Sequence, residues 1–444
     1  MNIAFLPIDN RPVCYTLPKL IAGIDEDINF SVPERDLLGD LKRIANINGL
    51  FNWLKNLPKH DAIILSLDTL IYGGLIPSRR GYETLDELKL RLEILKQILK
   101  GKNAKIYATS SIMRISNNNY NEEEKEYWAQ YGKKIFEYSF NLHKNGNAQT
   151  DVPKEIVDDY LKTRSRNFEI NKIYLQWQKE GLFETLIFSK DDCAQYGFNV
   201  KEAQELKKMG GFIKTGADEI PLSLLSRALN KAIKIYPKFL EPEYKNLISN
   251  YEDISVEESV KGQIELAGCK ICYDEHNADL ILYINNFKDK QGEIVMGINT
   301  QNFEGKFTPV KKPYIIADVR FANGSDNSFV KELFKNQLED KCFYGYSGWN
   351  TTANTLGSLI CGAKFKYLAN RYNCENFKKL QITRFLDDWA YQANVRQMLK
   401  KNDENELSLL MKEFEPIISD ILKTKIDVKY SYPWNRLFEV EVWI

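Results

Sequence analysis

The stretch Ala62-Ile-Ile-Leu-Ser-Leu67 is a short, apolar, β-rich run, and Asp68 follows it immediately. An apolar run of this length between polar residues is typical of a buried strand. Farther on, the pattern Leu85–Leu99 places leucines three or four residues apart on one helical face, and Gly101 follows as a stop signal. A strand followed by an amphipathic helix predicts a βα unit, with Asp68 at the carboxyl end of its strand.

The same alternation continues along the chain in both directions. Further strand-like runs are Ile3–Ile8, Ile28–Val32, Lys105–Thr109, Thr185–Ser189, Phe212–Thr215, Leu280–Asn285, Tyr314–Asp318 and Phe343–Tyr346. Strands that alternate with helices predict an α/β fold with mostly parallel strands. We favour a (β/α)-barrel-like arrangement, and two Rossmann-like domains are the alternative. We expect an α/β catalytic unit over residues 1–372, with an internal boundary near residue 236, and a C-terminal helical segment over 373–444 that ends in a strand.

The composition excludes several classes of protein. The 444 residues carry 61 Lys and Arg against 61 Asp and Glu, so the formal net charge is zero, without the basic excess of a nucleic-acid-binding protein. No stretch approaches the ~18–20 apolar residues of a membrane span, and the N-terminus lacks a basic signal-peptide region. Seven irregularly spaced Cys are typical of reduced thiols. We therefore expect a cytoplasmic protein that binds a small molecule, without nucleic-acid or membrane partners.

Histidine is scarce, which narrows the chemistry. The chain has three His, and none lies in a metal-binding or triad pattern. Carboxyl groups must therefore carry any proton transfer. The candidate catalytic residues follow predicted strands, and they are Asp68, Asp191, Asp192, Asp218, Glu219 and Asp318. Since the carboxyl ends of parallel strands share one edge of a sheet, we expect these residues to meet in one cleft.

One further aspartate and several arginine, amide and aromatic residues follow the same strand ends and form the candidate substrate-binding set. They are Asp9, Arg11, Tyr72, Arg79, Arg114, Asn285, Arg320, Trp349, Asn350 and Asn354. The arginines either pair with the carboxylates or hold a carboxylate or phosphate of the ligand. The segment Gly348–Gly357 suits a helix N-terminus that faces an anion or sugar hydroxyls. It lacks the P-loop lysine and the GxGxxG pattern, which disfavours a nucleotide.

Two chemistries fit a set of carboxylates without histidine. Glycoside hydrolysis uses one protonated and one ionised carboxyl group. A Mg²⁺ or Mn²⁺ site uses two or three carboxylates with further oxygen ligands. We favour a glycosidase-type hydrolase that acts on a small sugar-containing substrate without a cofactor. The alternatives are a Mg²⁺- or Mn²⁺-dependent enzyme acting on a phosphorylated or carboxylated metabolite, and a non-catalytic sugar- or metabolite-binding protein.

Several segments resemble an uncharacterised bacterial family that is known only as a domain of unknown function. They are Leu6-Pro-Ile-Asp-Asn-Arg-Pro-Val13, Tyr72-Gly-Gly-Leu-Ile-Pro-Ser-Arg79, Asp191-Asp192, Gly216-Ala-Asp-Glu219, Ala317-Asp318 with Asn323-Gly324, the segment Gly348–Gly357, and Tyr432-Pro-Trp-Asn-Arg-Leu-Phe-Glu439. The segments span almost the whole chain. The resemblance implies one functional unit over residues 1–444, and it carries no established activity or catalytic residues.

Overall fold

The computed structural model describes residues 1–191, 194–336, 338 and 341–444. The chain divides into two units: unit 1 is Met1–Asn10 with Asn29–Leu224, and unit 2 is Arg11–Ile28 with Leu225–Ile444. The chain therefore leaves unit 1 after its first strand, returns to it at Asn29, and leaves it again after Leu224.

Unit 1 is built on a parallel sheet in the order β2-β1-β3-β4-β5-β6. Its strands are β1 Asn2–Leu6, β2 Asn29–Ser31, β3 Ala62–Ser66, β4 Lys105–Ile112, β5 Thr185–Lys190 and β6 Phe212–Thr215. Every residue of β3 is buried, as expected for a parallel strand with both faces covered. Its helices are α2 Ile47–Asn56, α3 Leu67–Ile71, α4 Leu75–Arg80, α5 Leu85–Lys100, α6 Trp128–Asn145, α7 Lys154–Lys179 and α8 Phe198–Lys208.

Unit 2 is built on a second parallel sheet, in the order β13-β11-β9-β7-β8. Its strands are β7 Lys234–Phe239, β8 Lys270–Ile271, β9 Leu280–Asn285, β10 Gly292–Glu293, β11 Tyr314–Asp318, β12 Phe321–Ala322, β13 Phe343–Ser347, β14 Lys429–Ser431 and β15 Glu441–Trp443. Its helices are α1 Pro12–Ala22, α10 Val256–Leu266, α11 Asn327–Leu333, α12 Thr352–Leu368, α13 Cys374–Arg384, α14 Glu404–Met411 and α15 Glu415–Leu422, and α9 Ile220–Ala228 spans the boundary with unit 1.

The α/β class with mostly parallel strands is confirmed. The favoured barrel is not confirmed: the described strands form a six-stranded sheet, a five-stranded sheet and two two-stranded sheets, β10 with β12 and β14 with β15. A barrel closes by hydrogen bonds between its first and last strands. The order of the first sheet instead begins at β2 and ends at β6.

Strand β7 is absent from the sequence prediction because Pro237 interrupts its pattern. It pairs with β9 from Ile235 to Phe239, whereas β8 covers only Lys234 and Ile235. Proline has no N–H to donate, so it is confined to strand positions that lack one ladder bond. Because β8 ends before Pro237, the edge of β7 that pairs with β8 has no partner among the described strands at the proline.

The core of unit 2 lies between β7, β9 and β11 and the helices α10 and α12. Ile235, Leu282 and Ile315 are fully buried in one cluster with Val260 and Ile360. Among the described residues, no helix combines the length and the apolar character that crossing a bilayer requires.

Candidate functional site

The carboxyl ends of β9 and β11 in unit 2 carry a buried polar network centred on Asp318. This carboxylate accepts hydrogen bonds from Asn285 Nδ2 at 2.8 Å, from the backbone N–H of Asp326 at 2.8 Å and from Tyr346 OH at 2.9 Å. Burial raises the pKa of Asp318 to about 7, and the neighbouring Asp326 adds to the effect. Only 1% of the surface of Asp318 is exposed, so its contacts are with neighbouring groups of unit 2.

Arg320 completes this network with a fully buried guanidinium group. It donates to Asn285 Oδ1 at 3.1 Å and to Glu241 Oε1 at 3.1 Å, and it lies 3.3 Å from Asp326 Oδ2. Asp326 also caps α11 by accepting the N–H of Ser328. The predicted residues Asn285, Asp318 and Arg320 therefore lie in one contiguous cluster.

A π-helical segment, Phe385–Tyr391, supports the loop after β13. Its Asp388 accepts the N–H of Gly348 at 2.7 Å and pairs with Arg384 at 3.1 Å. Burial raises the pKa of Asp388, and the charge of Arg384 opposes this rise. π-helical turns of this kind are often found at functional sites.

The N-terminus of α12 faces a carboxyl group that is missing from the predicted set. Glu252 Oε1 accepts the N–H of Ala353 at 2.7 Å, whereas Glu252 Oε2 is buried without a hydrogen-bond partner in the described part of the chain. Burial raises the pKa of Glu252 to about 7; the Ala353 N–H and the Ser259 hydroxyl oppose the rise, and the charge of Asp253 adds to it.

Amide and hydroxyl groups surround this carboxyl group. Thr351 caps α12 by accepting the N–H of Asn354 at 3.3 Å. The side-chain oxygen of Asn354 is buried, and it too has no hydrogen-bond partner among the described residues. Ser249 Oγ lies 2.7 Å from Thr352 Oγ1, so the loop that carries Glu252 rests on the start of the helix.

The two remaining predicted residues of this segment differ in exposure. Trp349 is buried, and its carbonyl accepts the hydroxyl of Thr355 at 2.9 Å. Asn350 is half-buried with a positive φ of 61°, and its carbonyl accepts the N–H of Asn323 at 2.8 Å. Their roles toward a substrate remain predictions.

In unit 1, Asp68 occupies the first turn of α3, beside the end of β4. It accepts the N–H of Ser111 at 2.8 Å, and Ser110 Oγ lies 3.4 Å away. Burial raises the pKa of Asp68 to about 6, against the lowering by these donors and by Arg79. Burial also raises the pKa of the nearby Tyr72, and Asp68 adds to that rise.

Arg79 and Arg114 share two glutamates at the same edge of unit 1. Arg79 lies 3.3 Å from Glu123 and 3.1 Å from Glu124, and Arg114 lies 2.9 Å and 3.3 Å from the same pair. Asp191 lies 3.8 Å from Arg114 and is 34% exposed. Asp192 lies outside the described residues.

The other predicted residues of unit 1 are buried. Asp9 follows β1, and Asp218 and Glu219 lie between β6 and α9. Glu219 Oε2 accepts the N–H of Ala217 at 3.1 Å. A Cβ at Gly216, where φ is +110°, would lie 1.8 Å from Glu219 Oε1, so only glycine fits above this carboxylate.

Arg11 belongs to unit 2, where the C-terminal segment holds it. It pairs with Glu439 at 3.2 Å, and its guanidinium lies 5.1 Å from the ring of Trp434. The predicted residues are thus distributed over both units, and the single cleft expected for them remains a prediction.

A family model described as "Protein of unknown function (DUF4127)" matches residues 3–443. The chain belongs to this family. A comparison with curated proteins finds no match. Among solved structures, a ugt transferase from Siraitia grosvenorii in complex with UDP shows 9% identity over 94% of this chain and 99% of that chain. Its TM-score of 0.22 is too low to carry an argument about fold or function.

For this DUF4127 member, sequence reasoning misses Glu252 because nothing local marks it. It lies in a loop with no strand before it, and its partner Ala353 is 101 residues away. In the structure its neighbour Tyr251 has a positive φ of 67°, an uncommon value for a bulky residue, but the sequence alone does not show this.

The described residues offer thiols and carboxylates but no preformed metal cage. No group of three or more His, Cys, Asp or Glu side chains in the described ranges has the arrangement needed to hold a metal ion. The described cysteines are free thiols, and they are Cys14, Cys269, Cys272, Cys342, Cys361 and Cys374.

Proposed function

We propose that this protein is a glycosidase-type hydrolase that acts on a small sugar-containing substrate, with Glu252 as the proton donor. One observation carries the proposal: the carboxyl group of Glu252 is buried, its pKa is raised to about 7, and its Oε2 lacks a partner among the described residues. A carboxyl group that keeps its proton near neutral pH is the acid that glycoside cleavage requires.

The neighbouring groups support a hydroxyl-rich ligand. Thr351 and Asn350 are half-buried, and Asn354 presents an unpaired amide oxygen. Amide and hydroxyl groups of this kind exchange hydrogen bonds with sugar hydroxyls without requiring a charge on the ligand. The proposal covers the proton-donation step, which inverting and retaining mechanisms share.

The substitution Glu252→Gln tests the assignment, since it keeps the side-chain shape and the acceptor for Ala353 but removes the titrating proton. We expect kcat/KM to fall by ~10²–10⁴-fold on aryl glycosides with poor leaving groups, and much less on those with good ones. Asp253→Asn is the matched control, because it removes a carboxylate from the next residue of the same loop. Equal losses in both variants, or none in Glu252→Gln, would contradict the assignment.

The same assay distinguishes the proposed hydrolase from the metal-dependent alternative. Aryl glycosides and phosphate esters are offered with EDTA, Mg²⁺ or Mn²⁺. Turnover of glycosides that is unaffected by EDTA agrees with the proposal. Turnover of phosphate esters alone, and only with a divalent metal, would replace it. For wild type, kcat/KM should fall as pH rises through about 7, because the acid must be protonated.

A further inference from the structure

We infer that Glu252 is a specificity residue that makes unit 2 select uncharged ligands, because its carboxyl group occupies the place at the start of α12 that an anionic ligand group would take. The inference rests on the proposed function for its substrate class, and it names a role for Glu252 that is separate from proton donation.

The start of α12 has the features of an anion site. The helix has 17 residues, and the first N–H groups of a long helix attract negative charge. Here the Ala353 N–H is already bound by Glu252 Oε1 at 2.7 Å. The bond joins residues 101 positions apart, so it is a tertiary contact and not a local cap of the kind that Thr351 provides.

Two unpaired oxygen atoms show that the place is built for a ligand and is not simply closed. Glu252 Oε2 and Asn354 Oδ1 are both buried without hydrogen-bond partners among the residues that the structure describes, in side chains that are each 7% exposed. Buried polar atoms are rarely left unpaired in folded proteins. A ligand hydroxyl donates to such oxygens, whereas a phosphate or carboxylate presents further acceptors and, above the pKa of about 7, meets the negative charge of Glu252.

Removal of the carboxyl group should therefore convert the place into an anion site. Glu252→Ala leaves the Ala353 N–H unpaired and takes the negative charge away. The probe is inorganic phosphate at pH 8, followed by calorimetry and by thermal denaturation. We expect phosphate to bind Glu252→Ala at least about tenfold more tightly than wild type.

The control is Glu258→Gln, which removes a carboxylate from the exposed capping box of α10 six residues along the chain. It should bind phosphate as weakly as wild type. The double variant Glu252→Ala with Ala353→Pro should lose most of the gain, because proline has no N–H to donate to phosphate, and that loss would place the phosphate at α12. Equal phosphate affinity in wild type and Glu252→Ala, an equal gain in Glu258→Gln, or an undiminished gain in the double variant would each overturn the inference.

If circular dichroism shows that Glu252→Ala does not fold, Glu252→Ser takes its place, because its short side chain also removes the charge and the acceptor that now binds the Ala353 N–H. The same tenfold gain is expected, and equal affinity to wild type is the overturning result. The measurement involves no turnover. A protein inactive on every glycoside would contradict the proposed function. The phosphate result would still decide whether Glu252 keeps anionic ligands from the start of α12.

Discussion

At the carboxyl edge of the unit 1 sheet, Arg79 and Arg114 share Glu123 and Glu124, so two positive and two negative charges neutralise each other. At the corresponding edge of unit 2, burial raises the pKa of Asp318 to about 7, and its carboxylate accepts hydrogen bonds from neutral donors of Asn285, Asp326 and Tyr346. The two clusters thus treat carboxyl groups differently, although burial also raises the pKa of Asp68 in unit 1 to about 6. Ion pairs keep carboxylates charged, whereas burial against neutral donors favours the protonated acid.

The largest effect is expected from the loss of a buried arginine that has no substitute. Arg320→Met leaves the fully buried Asp326 without its cationic partner and Glu241 with Lys288 at 3.6 Å, and we expect a cost of ~3–5 kcal/mol in the free energy of unfolding. Arg79→Met should cost clearly less, because Arg114 still contacts both glutamates of unit 1. Urea denaturation of both variants measures the difference.

A surface variant controls this comparison. Arg371 pairs with Glu26 and Asp27 but is 65% exposed, so Arg371→Met should leave the unfolding midpoint unchanged. If Arg79→Met were as costly as Arg320→Met, the two arginines of unit 1 would not substitute for each other.

The pH dependence of the free energy of unfolding should reveal the raised pKa of Glu252 in unit 2. The pKa of a glutamate in an unfolded chain is 4.5, and burial raises the pKa of Glu252 to about 7 in the folded protein, so between these values the folded state binds more protons than the unfolded state. The contribution of Glu252 to the free energy of unfolding therefore decreases as pH rises from about 4.5 to about 7 and is constant above that range. The difference between wild type and Glu252→Gln in urea denaturation should follow this course. A difference that is constant with pH would contradict the raised pKa.

The smallest effects are expected at the helix caps, where the two units should behave alike. Thr351 caps α12 and Thr84 caps α5, each by accepting an N–H three residues ahead. Thr351→Ala and Thr84→Ala should each cost ~1 kcal/mol in the free energy of unfolding, whereas Thr→Ser should cost little at either site. A much larger cost at Thr351 alone would show that this cap also holds the Glu252 loop.

Several features of this protein follow from its sequence alone. The alternation of strands and helices predicts the parallel α/β class, and the run Ala62–Leu67 predicts β3 within one or two residues. Asn285, Asp318 and Arg320 are three of the predicted strand-end residues, and they lie together in unit 2. These features depend on apolar periodicity and on the residues next to each strand end, which act over a few positions of the chain.

Other features were decided by tertiary structure. Asp9 and Arg11 are two residues apart, yet Asp9 belongs to unit 1 and Arg11 to unit 2, where it pairs with Glu439 from the far end of the chain. Glu252 has no local motif and becomes a buried acid only because the chain brings it to Ala353. Burial and pairing set the pKa of a carboxyl group, and both depend on residues that are distant in the chain, 101 positions away for Glu252 and Ala353, and that no local pattern identifies.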